Sequence, residues 1–127
     1  MRFSISHPTR LDFGIGCGVA IALVDNFASG GEVSPVVVVA LLLAASAAIG
    51  ALWGFSGWPA ALIVWAAVPA PHVVKLAIGL ADTLHPNTWA SIVQLAGFTG
   101  FVVAIGAGGG ALLRAGLAGG RGRGVQR

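Results

Sequence analysis

From Pro35 to Gly54 the chain runs for 20 residues without one charged side chain. At 1.5 Å per residue a helix of that length measures about 30 Å, the thickness of a bilayer's hydrocarbon core. Helix is the form to expect, because a single apolar segment in lipid must satisfy its backbone donors and acceptors internally. Ser34 then Pro35 supply the start: a capping residue type, followed by a proline whose fixed φ suits the first helical position. One membrane crossing is therefore expected here. Composition extends the inference to the whole chain. Of its 127 residues 57% are hydrophobic and 9% charged, with a mean hydropathy of +0.92, which leaves too little polar surface to clothe a globule in water.

Three further segments have the same character. Leu11 to about Ala28 forms a short first helix, preceded by Arg2 and Arg10. Its layout resembles a secretory leader, but Asp12 at its mouth and Asp25 and Asn26 before any cleavage site favour a retained helix. After the second segment, Trp53, Gly54, Gly57, Trp58 and Pro59 have the composition of an aromatic turn at the headgroup layer. The third segment starts at Ala60 and meets Pro69 and Pro71; ending there it would span only about 18 Å, so it is expected to continue, kinked or broken, through His72 to Asp82. The fourth starts after Pro86, where Asn87 or Thr88 can cap it, and reaches about Leu113. Trp89 and Arg114 then mark its two interfaces.

Charge placement orients the whole. With four crossings, Arg2, Arg10, Arg114, Arg121, Arg123 and Arg127 fall on one side and Lys75 lies toward the other. Basic flanks resist translocation, so both termini are expected in the cytoplasm and the crossing number is even. The expected fold is an all-α membrane protein: one compact bundle of four transmembrane helices over 1–114, and a flexible basic Gly/Arg cytoplasmic tail over 115–127. A bacterial cytoplasmic (inner) membrane is the expected location. The net charge of +3 and pI near 10.6 are read as membrane anchoring, and no nucleic-acid partner is expected, since the tail lacks length and aromatic interleaving.

Small residues recur where helices must approach. Ala96, Gly100, Ala104 and Gly108 repeat every four residues, with Gly106 and Gly110 on an adjoining stripe; Ala40, Ala44 and Ala48 give the second segment a similar face, and Gly14 with Gly18 gives the first a GxxxG. Such faces pack helices within one chain or between chains. Homo-oligomerisation or a membrane-protein partner is thus one expectation, alongside the lipid bilayer itself.

The remaining polar residues gather, under this topology, on the external face: Asp25, Asn26 and Glu32 after the first helix, and His72, Lys75, Asp82, His85 and Asn87 before the last, with Asp25, Glu32, His72, Lys75, Asp82 and His85 the candidate site. His72, Lys75, Gly79 and Asp82 are spaced 3, 4 and 3, which puts them on one helical face. Two imidazoles and nearby carboxylates are acceptable ligands for zinc, iron or copper, or parts of a proton relay. His72 and His85 are the possible metal ligands, although no HExxH or other diagnostic spacing occurs and no cofactor is specified. Bland roles compete: Lys75 snorkelling or pairing with Asp82 or Asp25, His85 capping the fourth helix, Asp25 and Glu32 solvated in a loop, Asp12 paired with Arg10.

Other chemistry is missing from the sequence. There is no P-loop, GxGxxG after a strand, GxSxG or CxxC, and the lone Cys17 lies in an apolar stretch, so catalytic residues are not expected. Three readings stand: a non-enzymatic accessory, scaffold or homo-oligomeric membrane subunit, which the small-residue faces favour; a small oligomeric transporter or channel for an ion or small solute, using the proline-broken segment; and an external histidine site for a metal, haem or quinone.

Overall fold

The computed structural model describes residues 9–27, 34–81 and 88–123. Every element among them is helical: α1 (Arg10–Phe27), α2 (Pro35–Trp53), a 3-10 turn (Gly54–Gly57), α3 (Trp58–Ala66), α4 (Pro69–Ile78) and α5 (Trp89–Arg123). Two helical stretches are long and apolar enough to cross a membrane, Pro35–Ile78 with 44 residues and Trp89–Gly122 with 34. α1 does not join them, because its 18 residues include Arg10, Asp12 and Asp25.

The first stretch is not straight. Gly54 has φ +62°, a left-handed conformation that costs a residue with a Cβ, and the chain turns back on itself there. At Gly57 an added Cβ would lie 2.7 Å from Ile49 Cγ2 and 3.2 Å from the Ile49 carbonyl oxygen, which only a reversal permits. α2 and α3 are therefore antiparallel arms. Ser56 Oγ donates to the Trp53 carbonyl (2.6 Å), and Phe13 of α1 packs its ring on Trp53 with centroids 5.5 Å apart.

Contacts along the arms fix their directions. Gly14 faces Ala60 and Gly18 faces Ile63 and Ala67, so α1 runs parallel to α3. Gly106 faces Leu43 and Ser46, and Gly110 faces Ala47 and Ala51, so α5 runs parallel to α2. One end of the molecule collects the start of α1, the Gly54–Gly57 turn and Arg114 of α5: Arg10 Nη1 donates to the Ser56 carbonyl (2.6 Å), and Arg114 Nη1 donates to the carbonyls of Ala51 (3.3 Å) and Leu52. A guanidinium at carbonyls that a helix end leaves unsatisfied is favourable both as a hydrogen bond and against the helix dipole. The opposite end collects the last turn of α1, α4 and the start of α5.

α2 and α5 approach closely enough for backbones to touch. A Cβ on Gly110 would overlap the Ala47 carbonyl oxygen and sit 2.8 Å from the Ala51 nitrogen; one on Gly50 would overlap the Ala107 carbonyl. Around this seam lie the fully buried Leu42, Ile49, Val64 and Val68. Two buried hydroxyls are satisfied inside their own helices, Ser46 Oγ on the Leu42 carbonyl (2.7 Å) and Thr99 Oγ1 on that of Leu95 (2.8 Å). Trp65 Nε1 donates to the Ala96 carbonyl (2.8 Å) and lies over Gly100, tying α3 to α5.

The glycine stripe that carries this packing is not the expected one. Gly14, Gly18 and Gly100 do meet neighbouring helices, and Ala96 offers its carbonyl to Trp65, but Ala104 is exposed and a Cβ at Gly108 would meet nothing within 4 Å. Gly106 and Gly110, one stripe over, make the seam, and on α2 the matching positions are Leu43, Ser46, Ala47 and Gly50 while Ala40 and Ala44 point outward. Both stripes are small; Gly50, the one residue of α2 without a side chain, selects between them.

The caps also differ in detail. Thr9 and Asp12 form a reciprocal capping box at the start of α1: Thr9 N donates to Asp12 Oδ2 (3.1 Å), and Asp12 N to Thr9 Oγ1 (3.3 Å). Asp12 is thus engaged by Thr9, while Arg10 goes to Ser56. At α5 the cap is Thr88, whose Oγ1 accepts from the Ser91 nitrogen (3.2 Å). The expected flexible tail is helical as far as it is described, since α5 continues through 115–123 without a proline to stop it; each interior glycine lowers helix propensity by only about 1 kcal/mol. From its Arg114 anchor this extension reaches about 13 Å further, and its side chains over 115–122 are exposed.

Candidate functional site

The proline-broken third segment positions the site. α3 stops at Ala66, two turn residues follow, and Pro69 opens α4 as a proline at a first helical position, where its missing N–H costs nothing. α4 was expected to reach Asp82 but ends at Ile78, because Gly79 adopts a left-handed φ of +72°. The Leu80 nitrogen then donates back to the Lys75 carbonyl (2.9 Å), the hydrogen bond of a glycine-terminated helix. Gly79 therefore closes the helix instead of extending its polar face. Side chains of α4 reach the last turn of α1, His72 toward Asp25 and Lys75 toward Asn26.

His72 is buried, with its side chain 4% exposed, and its Nε2 stands 3.3 Å from Oδ2 of Asp25, whose side chain is 16% exposed. That separation is within ion-pair range but fails the geometry of a hydrogen bond, and Oδ2 is a buried acceptor receiving no hydrogen bond among the described residues. A carboxylate oxygen buried without a hydrogen bond is costly, and the His72 imidazole is the basic group beside it among the described residues. One turn on, Lys75 Nζ donates to Asn26 Oδ1 (2.6 Å), while Asn26 Nδ2 donates to the Ala22 carbonyl (2.9 Å). The second bond fixes which way the amide points, so its oxygen faces the ammonium.

Of the expected site residues the structure thus joins Asp25, His72 and Lys75; Glu32, Asp82 and His85 lie outside the described residues. Asp25 and Asn26 belong to α1, not to a loop. Lys75 reaches Asn26, and His72 reaches Asp25. Asn26, expected beside Asp25 on the external face but not among the candidate site residues, joins them through its i to i−4 relation to Ala22, which lets an amide bond back to its own helix and turn its oxygen outward. No group of three histidine, cysteine or carboxylate side chains that could hold a metal occurs among the described residues. Cys17 is half-buried against the core.

Two apolar grooves flank this framework. One, of about 640 Å³, runs between α1 and the α3–α4 arm from Ile15 and Ile63 to Asn26 and Lys75. The other, of about 670 Å³, lies between α2 and α5 toward the Arg114 end and is lined by leucine, isoleucine, alanine and glycine alone. The outer faces are apolar too: Leu11, Ile15, Val19, Leu23 and Phe27 form a four-residue-spaced exposed stripe on α1, and Phe98, Phe101, Ile105, Leu112 and Leu113 are exposed on α5.

No protein-family model matches the chain, and comparison with curated proteins and with solved structures finds no match.

Proposed function

We propose that this chain is a multi-pass integral protein of a cytoplasmic (inner) membrane and that it acts by association, as a homo-oligomeric or accessory membrane subunit. α2, the α3–α4 arm and α5 each cross, α1 crosses as well because its charged residues, Arg10, Asp12 and Asp25, lie in its first and last turns, and the Arg10 and Arg114 end faces the cytoplasm. Exposure supports the bilayer: only 28% of the most apolar window in each long stretch is buried, whereas a core helix of a water-soluble protein would be mostly covered. Both arginines anchored at one end, with Lys75 at the other, support the orientation.

The observation that carries the association reading is the unused stripe of α5. Gly97, Ala104 and Gly108 share a face, and added Cβ atoms at both glycines would meet nothing within 4 Å, so the chain's own helices leave that face uncovered. Because lipid is as apolar as leucine, close van der Waals packing between small residues is what joins helices there. Replacing both Ala104 and Gly108 by leucine is expected to convert a defined oligomer, weighed by native mass spectrometry from gently extracted membranes, into a monomer of unchanged helicity. A wild-type monomer without a partner, or an oligomer indifferent to both leucines, contradicts it.

A second reading rests on the Asp25–His72 pair. A buried carboxylate and imidazole 3.3 Å apart beside a proline-broken helix are the parts of a proton or ion relay, as required of a small oligomeric transporter. It would appear as flux lost in Asp25→Asn without change in assembly. The external metal, haem or quinone site has less behind it, since His85 lies outside the described residues.

A further inference from the structure

We propose that α5 packs against α5 of a second copy of this chain, the two helices side by side and pointing the same way, with Gln94 hydrogen-bonded to the partner subunit's Gln94 across a two-fold axis. It rests on the bilayer and association readings given above and names the partner, the contact and the symmetry.

Gln94 carries the case. Trp89 and Arg114 bound the membrane part of α5, which rises about 38 Å between them, so a hydrocarbon core of about 30 Å centred there holds Gln94 about 4 Å inside its edge. At that depth an amide, with two N–H donors and an acceptor oxygen, is out of reach of bulk water. Gln94 is nonetheless exposed on the outer side of α5 and makes no hydrogen bond among the described residues. An amide left alone in hydrocarbon is costly, and polar side chains of membrane helices relieve that cost by bonding across to a neighbouring helix.

The surroundings of Gln94 say which neighbour. Ala90, Gln94, Gly97, Phe101, Ala104 and Gly108 follow at steps of 4, 3, 4, 3 and 4, the period of a helix–helix seam, on the side of α5 opposite Gly106 and Gly110, which face α2. Contact with lipid does not call for such a stripe: the outer stripe of α1 is Leu11, Ile15, Val19, Leu23 and Phe27, every one bulky and none polar. On α5, Gly97 and Ala104 flank exposed Phe101, which leaves room for the ring of each copy against the other helix. All copies insert with the Arg10 and Arg114 end on the same side, so neighbouring α5 helices run parallel. A two-fold axis along the membrane normal then brings each residue of the stripe to its own counterpart. Glutamine is self-complementary under that operation, since its N–H donates to the second amide's oxygen while its own oxygen accepts.

The test uses the full chain in its own membrane. In a Cys17→Ser background, Ala90→Cys on the stripe and Leu23→Cys on the outer face of α1, both exposed positions, are oxidised with copper phenanthroline; a disulfide-linked dimer is expected from Ala90→Cys and not from Leu23→Cys. Gln94→Met, which keeps the side chain's length and removes its amide, should weaken the dimer weighed by native mass spectrometry about three- to tenfold at wild-type helicity. No link at Ala90→Cys, equal linking of both cysteines, or a Gln94→Met dimer as strong as the wild type would overturn the proposal, as would an oligomer held by a different protein. A monomeric wild-type chain sinks the association reading and this proposal together. An oligomer that the paired Ala104→Leu and Gly108→Leu changes dissolve, but Gln94→Met leaves intact, sinks this contact alone.

Discussion

Gly110→Ala is expected to destabilise the protein by about 3 kcal/mol or more, a large loss for a single methyl group. The new Cβ would overlap the carbonyl oxygen of Ala47 and press within 2.8 Å of the Ala51 nitrogen. Both atoms belong to the backbone of α2, so no rotamer change relieves the clash and the two helices must separate along their seam. Cores resist such insertions because they are already close-packed. Gly50→Ala, which meets the Ala107 carbonyl from the other side of the same seam, should behave alike. Gly16→Ala is the control. Its Cβ meets nothing within 4 Å on α1, so it should be neutral or stabilising by up to about 1 kcal/mol through helix propensity. Denaturation in detergent micelles followed by circular dichroism measures all three; equal stability of Gly110→Ala and Gly16→Ala would remove the α2–α5 seam from the account.

The second large effect concerns Asp25 and His72. Removing the imidazole alone, in His72→Leu, leaves a carboxylate oxygen buried without the group beside it and should cost about 1–3 kcal/mol. Replacing Asp25 alone by leucine should cost less, because it removes the buried oxygen that receives no hydrogen bond among the described residues. In the double variant apolar side chains replace both partners, and its cost should fall below the sum of the single costs by about 1 kcal/mol or more. A strictly additive cycle in the same unfolding assay would mean that the 3.3 Å approach carries no energy.

These two regions differ in how far the sequence revealed them. Punctuation was legible: Pro35 opens α2, Gly54 and Gly57 mark a reversal, the Pro69 break interrupts the third segment and Thr88 caps α5, each because one residue type has a narrow backbone preference. That Asp25, His72 and Lys75 lie near one end of the helices was legible as an expectation from segment length. Which atoms pair was not. Asp25 and Asn26 look like loop residues beside Ala28, Ser29 and Gly30, and only α1 packing parallel to α3 puts them beside α4. The choice between the Ala104/Gly108 and Gly106/Gly110 stripes was equally hidden. Periodicity finds small residues on a helix but does not say which stripe the partner's own gap, at Gly50, will meet. Gly79 misled for a different reason: spacing placed it on a polar face, while its left-handed backbone made it a terminator.

The central claim is that the Gly54–Gly57 turn and the start of α5 lie on opposite sides of a membrane, and single-cysteine accessibility tests it most directly. In a Cys17→Ser background, a cysteine at Ser56 and another at Thr88, both exposed positions, are treated in intact cells with a membrane-impermeant maleimide. The account predicts that Thr88→Cys is labelled at once and Ser56→Cys only after the membrane is opened. Labelling of both from the same side would contradict it.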